Sequence, residues 1–282
     1  VEPVVDIARL RSLASERGPG VVIADVRWYL DGRSGPAAYA AGHIPGAVFV
    51  DMDTVLTGPR VDTTSGRHPL PTPRAFADAV GGLGIGDDDV VIAYDDAGGA
   101  VAGRFVWMLR SIGASAALLD GGLRAWDGEL ELGPGTPRPP VTRRFRPWPL
   151  EQLASADEVA VAVRRPGALV LDARPAPRYR GEVEPVDARP GHIPGARNAP
   201  VTDGLDADGR FLSTEAMAAR FAALGVDGRV EVIASCGSGV SACHLLLAME
   251  HAGLGGGRLY VGSWSGWSAD PDRPAALGSE PG

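Results

Sequence analysis

The stretch Val232-Ile233-Ala234-Ser235-Cys236-Gly237-Ser238-Gly239-Val240-Ser241-Ala242 decides how this chain is read. A β-branched apolar run stops at a cysteine, passes through small residues, and enters the apolar pattern Ala242, Leu245, Leu246, Met249. That succession predicts a strand, a tight loop and a helix. In such a loop the peptide N–H groups turn inward around the sulfur, at the positive end of the following helix. The thiolate is the reactive form of a cysteine, and N–H dipoles of this kind favour it. Two glycines and two serines are poor core neighbours but good loop formers, so a nucleophile fits Cys236 better than a buried structural thiol.

Working outward, several segments occur twice in the same order. Asp25-Val26-Arg27 returns as Asp172-Ala173-Arg174, and Gly42-His43-Ile44-Pro45-Gly46-Ala47 returns unchanged as Gly191-His192-Ile193-Pro194-Gly195-Ala196. Val91–Asp95 matches Val232–Cys236, and Gly121–Trp126 matches Gly262–Trp267. The offset stays near-constant, at roughly 141 to 149 residues, which makes the chain two copies of one domain. The expected division is residues 1–132, a linker over 133–150 and a second domain over 151–282. The linker rests on Gly133-Pro134-Gly135-Thr136-Pro137-Arg138-Pro139-Pro140, whose proline and glycine density prevents a helix or central strand.

Each copy alternates short apolar strands with helical patterns. Strands are expected over 21–25, 90–94 and 117–120, then 169–172, 230–235 and 258–261; helices over 73–83, 100–112, 214–224 and 240–252. This predicts an α/β fold, each domain a mostly parallel sheet with helices on both faces. Chemistry in such sheets sits beyond the carboxyl ends of the strands, where the Cys236 loop falls. Features shared by both copies serve the fold, so His43 and His192 are assigned to structure. Asp95 stands where Cys236 stands in the second copy and cannot carry sulfur, so the first domain is expected to lack a nucleophile.

A length of 282 residues suits two domains of ordinary size. A net charge of −8 argues against nucleic acid or an anionic membrane as the main partner. Two cysteines make no disulfide framework, and without a CxxC pair no metal site is expected. The first residues lack a charged start followed by an apolar run, and no segment approaches membrane-span length; the cytoplasm is the expected compartment. The composition of 269–282 predicts a disordered tail.

The duplicated GHIPGA unit, the lone cysteine in Cys236–Ala242 and the Gly262-Ser263-Trp264-Ser265-Gly266-Trp267 segment together resemble the tandem-domain rhodanese sulfurtransferases over about residues 1–270. The resemblance implies ping-pong transfer of sulfane sulfur from a small anionic donor, through a Cys236 persulfide, to a thiophilic acceptor such as cyanide, a thiol or a thioredoxin-like protein, with no cofactor. The active loop is closest to the 3-mercaptopyruvate branch; the thiosulfate branch carries basic residues where this chain has Gly237 and Ser238. Donors from the N–H groups of Gly237, Gly239, Val240 and Ser241 would hold the persulfide anion. Arg178 matches the arginine that binds the donor anion, with Arg180 as a neighbour that assists. A second arginine customary in the mercaptopyruvate branch is missing, Val186 standing there, and Arg189 is the residue that could reach in its place. Ser238, His68 and Asp53 match a serine–histidine–aspartate set that protonates the departing enolate. His68 and Asp53 lack counterparts in the second copy, which fits a role in chemistry.

Other residues are read as packing: Cys243 as a small core hydrophobe, His244 and His251 as the wetter stripe of their helix, Trp264 and Trp267 as core, with Trp264 at the edge of the site. Asp87–Asp89 reads as a solvated turn. Two rival functions are weighed. A cysteine phosphatase requires C-x5-R, and Ala242 occupies the arginine position. A passive sulfur carrier has no use for an acid–base set. Thiosulfate as the main donor remains the alternative within the sulfurtransferases.

Overall fold

The computed structural model describes all 282 residues. Two compact units emerge. The first comprises residues 1–58, 70–148 and 207–211; the second comprises 59–69, 149–206 and 212–282. The Pro/Gly-rich stretch 133–148 therefore packs with the first unit, while the short segment 59–69 belongs to the second.

In the first unit the order is β1 (Val4–Val5), α1 (Ile7–Arg17), β2 (Val21–Asp25), α2 (Gly35–Ala41), β3 (Val48–Phe49), α3 (Pro73–Gly82), β4 (Val90–Tyr94), α4 (Ala102–Ser111) and β5 (Ser115–Leu119). The strands form one parallel sheet in the order β1-β5-β4-β2-β3. Side chains alternate across it, as a strand requires. Ile92 and Tyr94 join Leu10 and Leu13 of α1 and Tyr39 of α2 in one buried cluster. On α3 and α4, Phe76 meets Phe105 edge-on, ring centres 6.3 Å apart. Right-handed crossovers running in opposite directions along the sheet put these two helix pairs on opposite faces. Asp6, Ser34 and Thr72 cap α1, α2 and α3 by accepting the N–H of the third residue on.

The second unit repeats the plan with α5 (Ala156–Ala162), β6 (Ala168–Asp172), α6 (Ala176–Tyr179), β7 (Arg197–Asn198), α7 (Thr214–Ala223), β8 (Glu231–Ser235), α8 (Ser241–His251), β9 (Arg258–Leu259) and α9 (Ser263–Ala269). Its parallel sheet has the order β7-β6-β8-β9. A parallel bridge between Leu153 and Leu259 takes the place that β1 holds in the first unit. Trp264 and Trp267 of α9 lie with Val159 of α5 and Ile233 of β8 in the core.

The shared motifs have the same job in both units. Arg27 grips Asp25 at 2.6 Å and the Gly42 carbonyl at 2.8 Å; Arg174 grips Asp172 at 2.7 Å and the Gly191 carbonyl at 2.8 Å. His43 stacks on Tyr39 and His192 on Tyr179, each at 3.7 Å between ring centres. Each histidine Nδ1 sits 2.9 Å from the carbonyl oxygen of its stacked tyrosine. Both histidines are fully buried, a structural role set by stacking and hydrogen bonding.

Two expectations need correction. The tail is ordered against the second unit: Ala276 pairs with His192 in both directions at 3.0 Å, and the Pro274 carbonyl accepts the Trp267 indole N–H at 2.7 Å. His244 is not on a wet stripe, because α8 is buried on nearly all sides. No helix is long and apolar enough to cross a membrane.

Candidate active site

Strand β8 lies between β6 and β9, and the chain leaves β6 in one direction for β7 and returns in the other for β8. The ends of β6 and β8 thus flank the point where strand order reverses, the place where parallel sheets open a crevice. Cys236 is the first residue past β8, and only 1% of it is exposed. Its Sγ accepts the Gly239 N–H at 3.2 Å. Gly239 has φ +75°, and a Cβ there would stand 2.6 Å from the Val261 carbonyl oxygen, so a side chain would push that amide off the sulfur.

The equivalent loop of the first unit shows how such a loop surrounds a carboxyl group, which burial pushes above its usual range against the N–H groups that favour its ionised form. Asp95 is buried, and its two carboxylate oxygens accept four peptide N–H groups, those of Ala97, Gly99, Val101 and Ala102, at 2.8–2.9 Å. The loops are held alike: Leu123 N–H binds the Asp95 carbonyl and Trp264 N–H the Cys236 carbonyl, both at 2.9 Å. One loop is filled by its own carboxylate, and the other presents a thiol.

His68 lies on the 59–69 segment of the second unit, and its Nδ1 is 2.8 Å from Ser238 Oγ. Both residues are buried. Asp53 belongs to the first unit. There its side chain is exposed, and partial desolvation, then the neighbouring Asp51, raises its carboxyl against a hydrogen bond from the Trp28 side chain.

Arg178, on α6, donates to Glu184 at 2.7 Å and to Asp187 at 3.1 Å. A Cβ built on Gly237 would stand 3.4 Å from its Nη1. Arg180 pairs instead with Glu182 in a solvent-exposed contact, at 2.7 and 2.9 Å. Arg189 does not reach toward the missing second arginine. Its guanidinium donates to the carbonyls of Ser268, Asp270 and Arg273 at 2.8–3.0 Å, collecting the orphan acceptors at the end of α9. The second guanidinium near Gly237 belongs to Arg67, whose Nη2 would be 3.1 Å from the same Cβ and whose Nη1 pairs with Asp187. Burial, helped by the nearby Arg178, pushes the Arg67 guanidinium below its usual value, while Asp187 acts in the opposite sense. Burial likewise raises the Asp187 carboxyl, against the pull of Arg67.

The rhodanese-like domain model matches residues 10–129 and again 155–270. The chain belongs to the rhodanese family. Among its relatives, a Pseudomonas aeruginosa protein named "Probable 3-mercaptopyruvate sulfurtransferase" is 43% identical, with 92% of this chain and 93% of that one aligned. A Mycobacterium tuberculosis protein provisionally named thiosulfate sulfurtransferase is 41% identical over 94% of this chain and 93% of its own. The crystal structure of SseA from Escherichia coli, a 3-mercaptopyruvate sulfotransferase, shares 34% identity at a TM-score of 0.79, covering 94% of this chain and 99% of that one. This rhodanese is a sulfurtransferase enzyme with two rhodanese domains.

Sequence reading grouped Cys236, Ser238, His68 and Asp53; the structure puts His68 against Ser238, two residues along the loop from Cys236. Two residues beside the loop, Arg67 and Ser263, were not singled out from the sequence. Ser263 Oγ accepts the Cys236 N–H at 3.1 Å and lies 4.0 Å from Sγ. It is the one non-glycine residue of the chain with positive φ, at 50°. A signal existed for both. Arg67 adjoins His68, although Gly66-Arg67 also returns as Gly209-Arg210 in the second copy, and Ser263 stands where the first copy has Gly122, whose φ is 56°.

Proposed function

We propose that this rhodanese transfers sulfane sulfur from a small anionic donor, 3-mercaptopyruvate first, to a thiophilic acceptor through a persulfide on Cys236. The observation that carries this reading is the His68–Ser238 contact of 2.8 Å one turn of loop from the thiol. A donor whose leaving group is a carbanion equivalent needs a proton at the moment its C–S bond breaks; a donor that releases sulfite does not.

The Cys236 thiolate attacks the donor sulfur. An S–S bond forms, the C3–S bond breaks, and its electron pair departs as the enolate of pyruvate. Ser238 and His68 deliver a proton toward that enolate, which becomes pyruvate, and Asp53 completes the set the family resemblance implies. The new persulfide returns the donor's S–H proton to the Ser238–His68 pair, replacing the one given to the enolate, and the resulting anion has the N–H groups of Gly237, Gly239, Val240 and Ser241 as its donors, as four amides serve Asp95 in the matching loop. An acceptor thiolate, cyanide or a thioredoxin-like protein then attacks the outer sulfur and restores the Cys236 thiolate. The equation balances without a cofactor or metal. Arg178 supplies charge for the donor anion, and Arg180, paired to Glu182, contributes less. The cytoplasm suits a chain whose two cysteines are both free thiols.

Thiosulfate is the second reading, and the name of the Mycobacterium tuberculosis relative supports it. The test compares kcat/KM for the two donors by pyruvate and sulfite release, with intact-mass measurement of the donor-treated protein. A higher value for 3-mercaptopyruvate and one added sulfur on Cys236 are expected. A higher value for thiosulfate would reverse the order of donors. Release of at most one equivalent would make the protein a carrier.

A further inference from the structure

We propose that Arg67 is a donor-binding residue, forming with Arg178 the seat for the anionic group of the sulfur donor above Gly237. The inference rests on the reading of Cys236 as the sulfur-accepting thiol. Glycine at 237 lets two guanidinium ends come close to the loop next to that thiol. A Cβ placed there would be 3.1 Å from Arg67 Nη2 and 3.4 Å from Arg178 Nη1.

Each guanidinium is gripped on one edge and directed by the other. Arg67 Nη1 is held by Asp187, and Arg178 Nη2 by Glu184 and Asp187. The Nε groups of both arginines are buried and meet no acceptor in the protein. Arg174 shares Glu184 and also holds Asp172, so three buried carboxylates stand against three guanidiniums and no bare cation is buried before the donor arrives. What remains is a set of N–H donors with fixed direction, which suits the planar oxygens of a carboxylate.

The position of Arg67 is fixed by main-chain contacts. Its N–H donates to Ser265 Oγ at 3.0 Å, and that hydroxyl donates to the Gly262 carbonyl at 3.1 Å. Gly66 and Gly266 allow the segment to lie directly on α9. A Cβ at Gly266 would fall 2.3 Å from the Thr64 carbonyl oxygen, and one at Gly66 would fall 2.6 Å from that of Gly262. The same helix holds the Cys236 carbonyl through Trp264 N–H. Thiol and guanidinium are therefore registered on one element.

The test is steady-state kinetics of the full chain with 3-mercaptopyruvate and thiosulfate, alongside inhibition by pyruvate as a carboxylate probe. Arg67→Ala is expected to raise donor KM and the pyruvate inhibition constant about tenfold or more, with kcat within about threefold. Arg67→Lys should fall between, since a point charge replaces a fork. Removing Arg67 also strips a partner from Asp187, so Arg67→Ala/Asp187→Asn is the deciding variant. Because Asp187 also holds Arg178, the reference is Asp187→Asn alone: a KM higher in the double variant than in Asp187→Asn supports direct contact, and a KM equal to it overturns the proposal and leaves Arg67 as a partner of Asp187. An unchanged KM in Arg67→Ala also overturns it. If Arg67→Ala fails to fold, Arg67→Gln carries the same comparison. If the wild-type protein itself turns over neither donor and Cys236 gains no sulfur, the reading of the thiol falls, and this proposal with it.

Discussion

Replacing Asp95 with alanine tests the physical idea on which the active loop depends. The carboxylate is 1% exposed and accepts four peptide N–H groups at 2.8–2.9 Å, two on each oxygen. Asp95→Ala leaves all four donors in a buried loop at the start of α4. Each buried unsatisfied group costs about 1–3 kcal/mol, giving about 4–12 kcal/mol as an upper bound. Water entering the vacated space recovers part of this, so we expect a loss near the lower end, about 4 kcal/mol. At roughly 2–4 °C per kcal/mol for a chain of this size class, the melting transition should fall by about 8–16 °C. With two units, it should separate into an early step and an unperturbed one. Calorimetry of the full chain reads both. Sulfate or phosphate should raise the early transition of the variant more than any transition of the wild type, because an added anion can occupy the emptied nest. Asp95→Asn should lose less than alanine, since one oxygen survives while its NH2 faces two donors. A variant that melts within about 2 °C of wild type, with no response to anions, would refute the reasoning. The loop would then not act as an anion site, and the same geometry around Cys236 would lose its main support.

The remaining predictions concern the thiol. Cys236→Ser should abolish transfer from every donor and leave no added sulfur in the intact mass; residual turnover would move the covalent step elsewhere. His68→Ala and Ser238→Ala should slow 3-mercaptopyruvate turnover by about 10²–10⁴-fold and thiosulfate turnover far less, because only the first leaving group needs a proton; equal losses in parallel assays would remove the proton-transfer role. Arg178→Ala should chiefly raise donor KM, and an unchanged KM would exclude it from the donor site. Gly239→Ala places a Cβ 2.6 Å from the Val261 carbonyl oxygen at φ +75°, at a cost of about 1–3 kcal/mol, and should slow alkylation of Cys236 by iodoacetamide at fixed pH. An unchanged alkylation rate would mean that the Gly239 amide does not support the thiolate.

The strands and helices around the site were legible because their periodicity is undiluted. Val21–Asp25 and Val90–Tyr94 have the expected bounds, and the four helices expected differ only at their frayed ends, whereas α1, eleven residues long, was not anticipated. The short pieces were not legible. β3 and β7 are two residues each, and α9 opens on Gly262-Ser263-Trp264, a sequence with poor helix propensity that tertiary packing holds in place. The tail was misread for a related reason. Its composition lacks apolar pattern, yet backbone pairing with His192 and the Trp267–Pro274 hydrogen bond order it without requiring one.

The two copies also act as a control on each other, and the contrast at Ser263 shows how much that control can reveal. In the first unit the position is Gly122, whose φ of 56° costs glycine nothing and whose missing Cβ would otherwise lie 2.3 Å from the Asp95 carbonyl oxygen. In the second unit the same turn carries a serine at φ 50°. The left-handed region costs an L-residue about 1–2 kcal/mol, so the side chain must return something that glycine would not. What it returns is visible: its hydroxyl oxygen accepts the Cys236 N–H at 3.1 Å while its proton goes to the Tyr260 carbonyl at 2.9 Å. The Cys236 amide is thereby tied to the turn, and the thiol is fixed from behind by a residue the silent copy does without. That strain stands beside the thiol in one copy and is absent from the other, where a glycine takes the same turn.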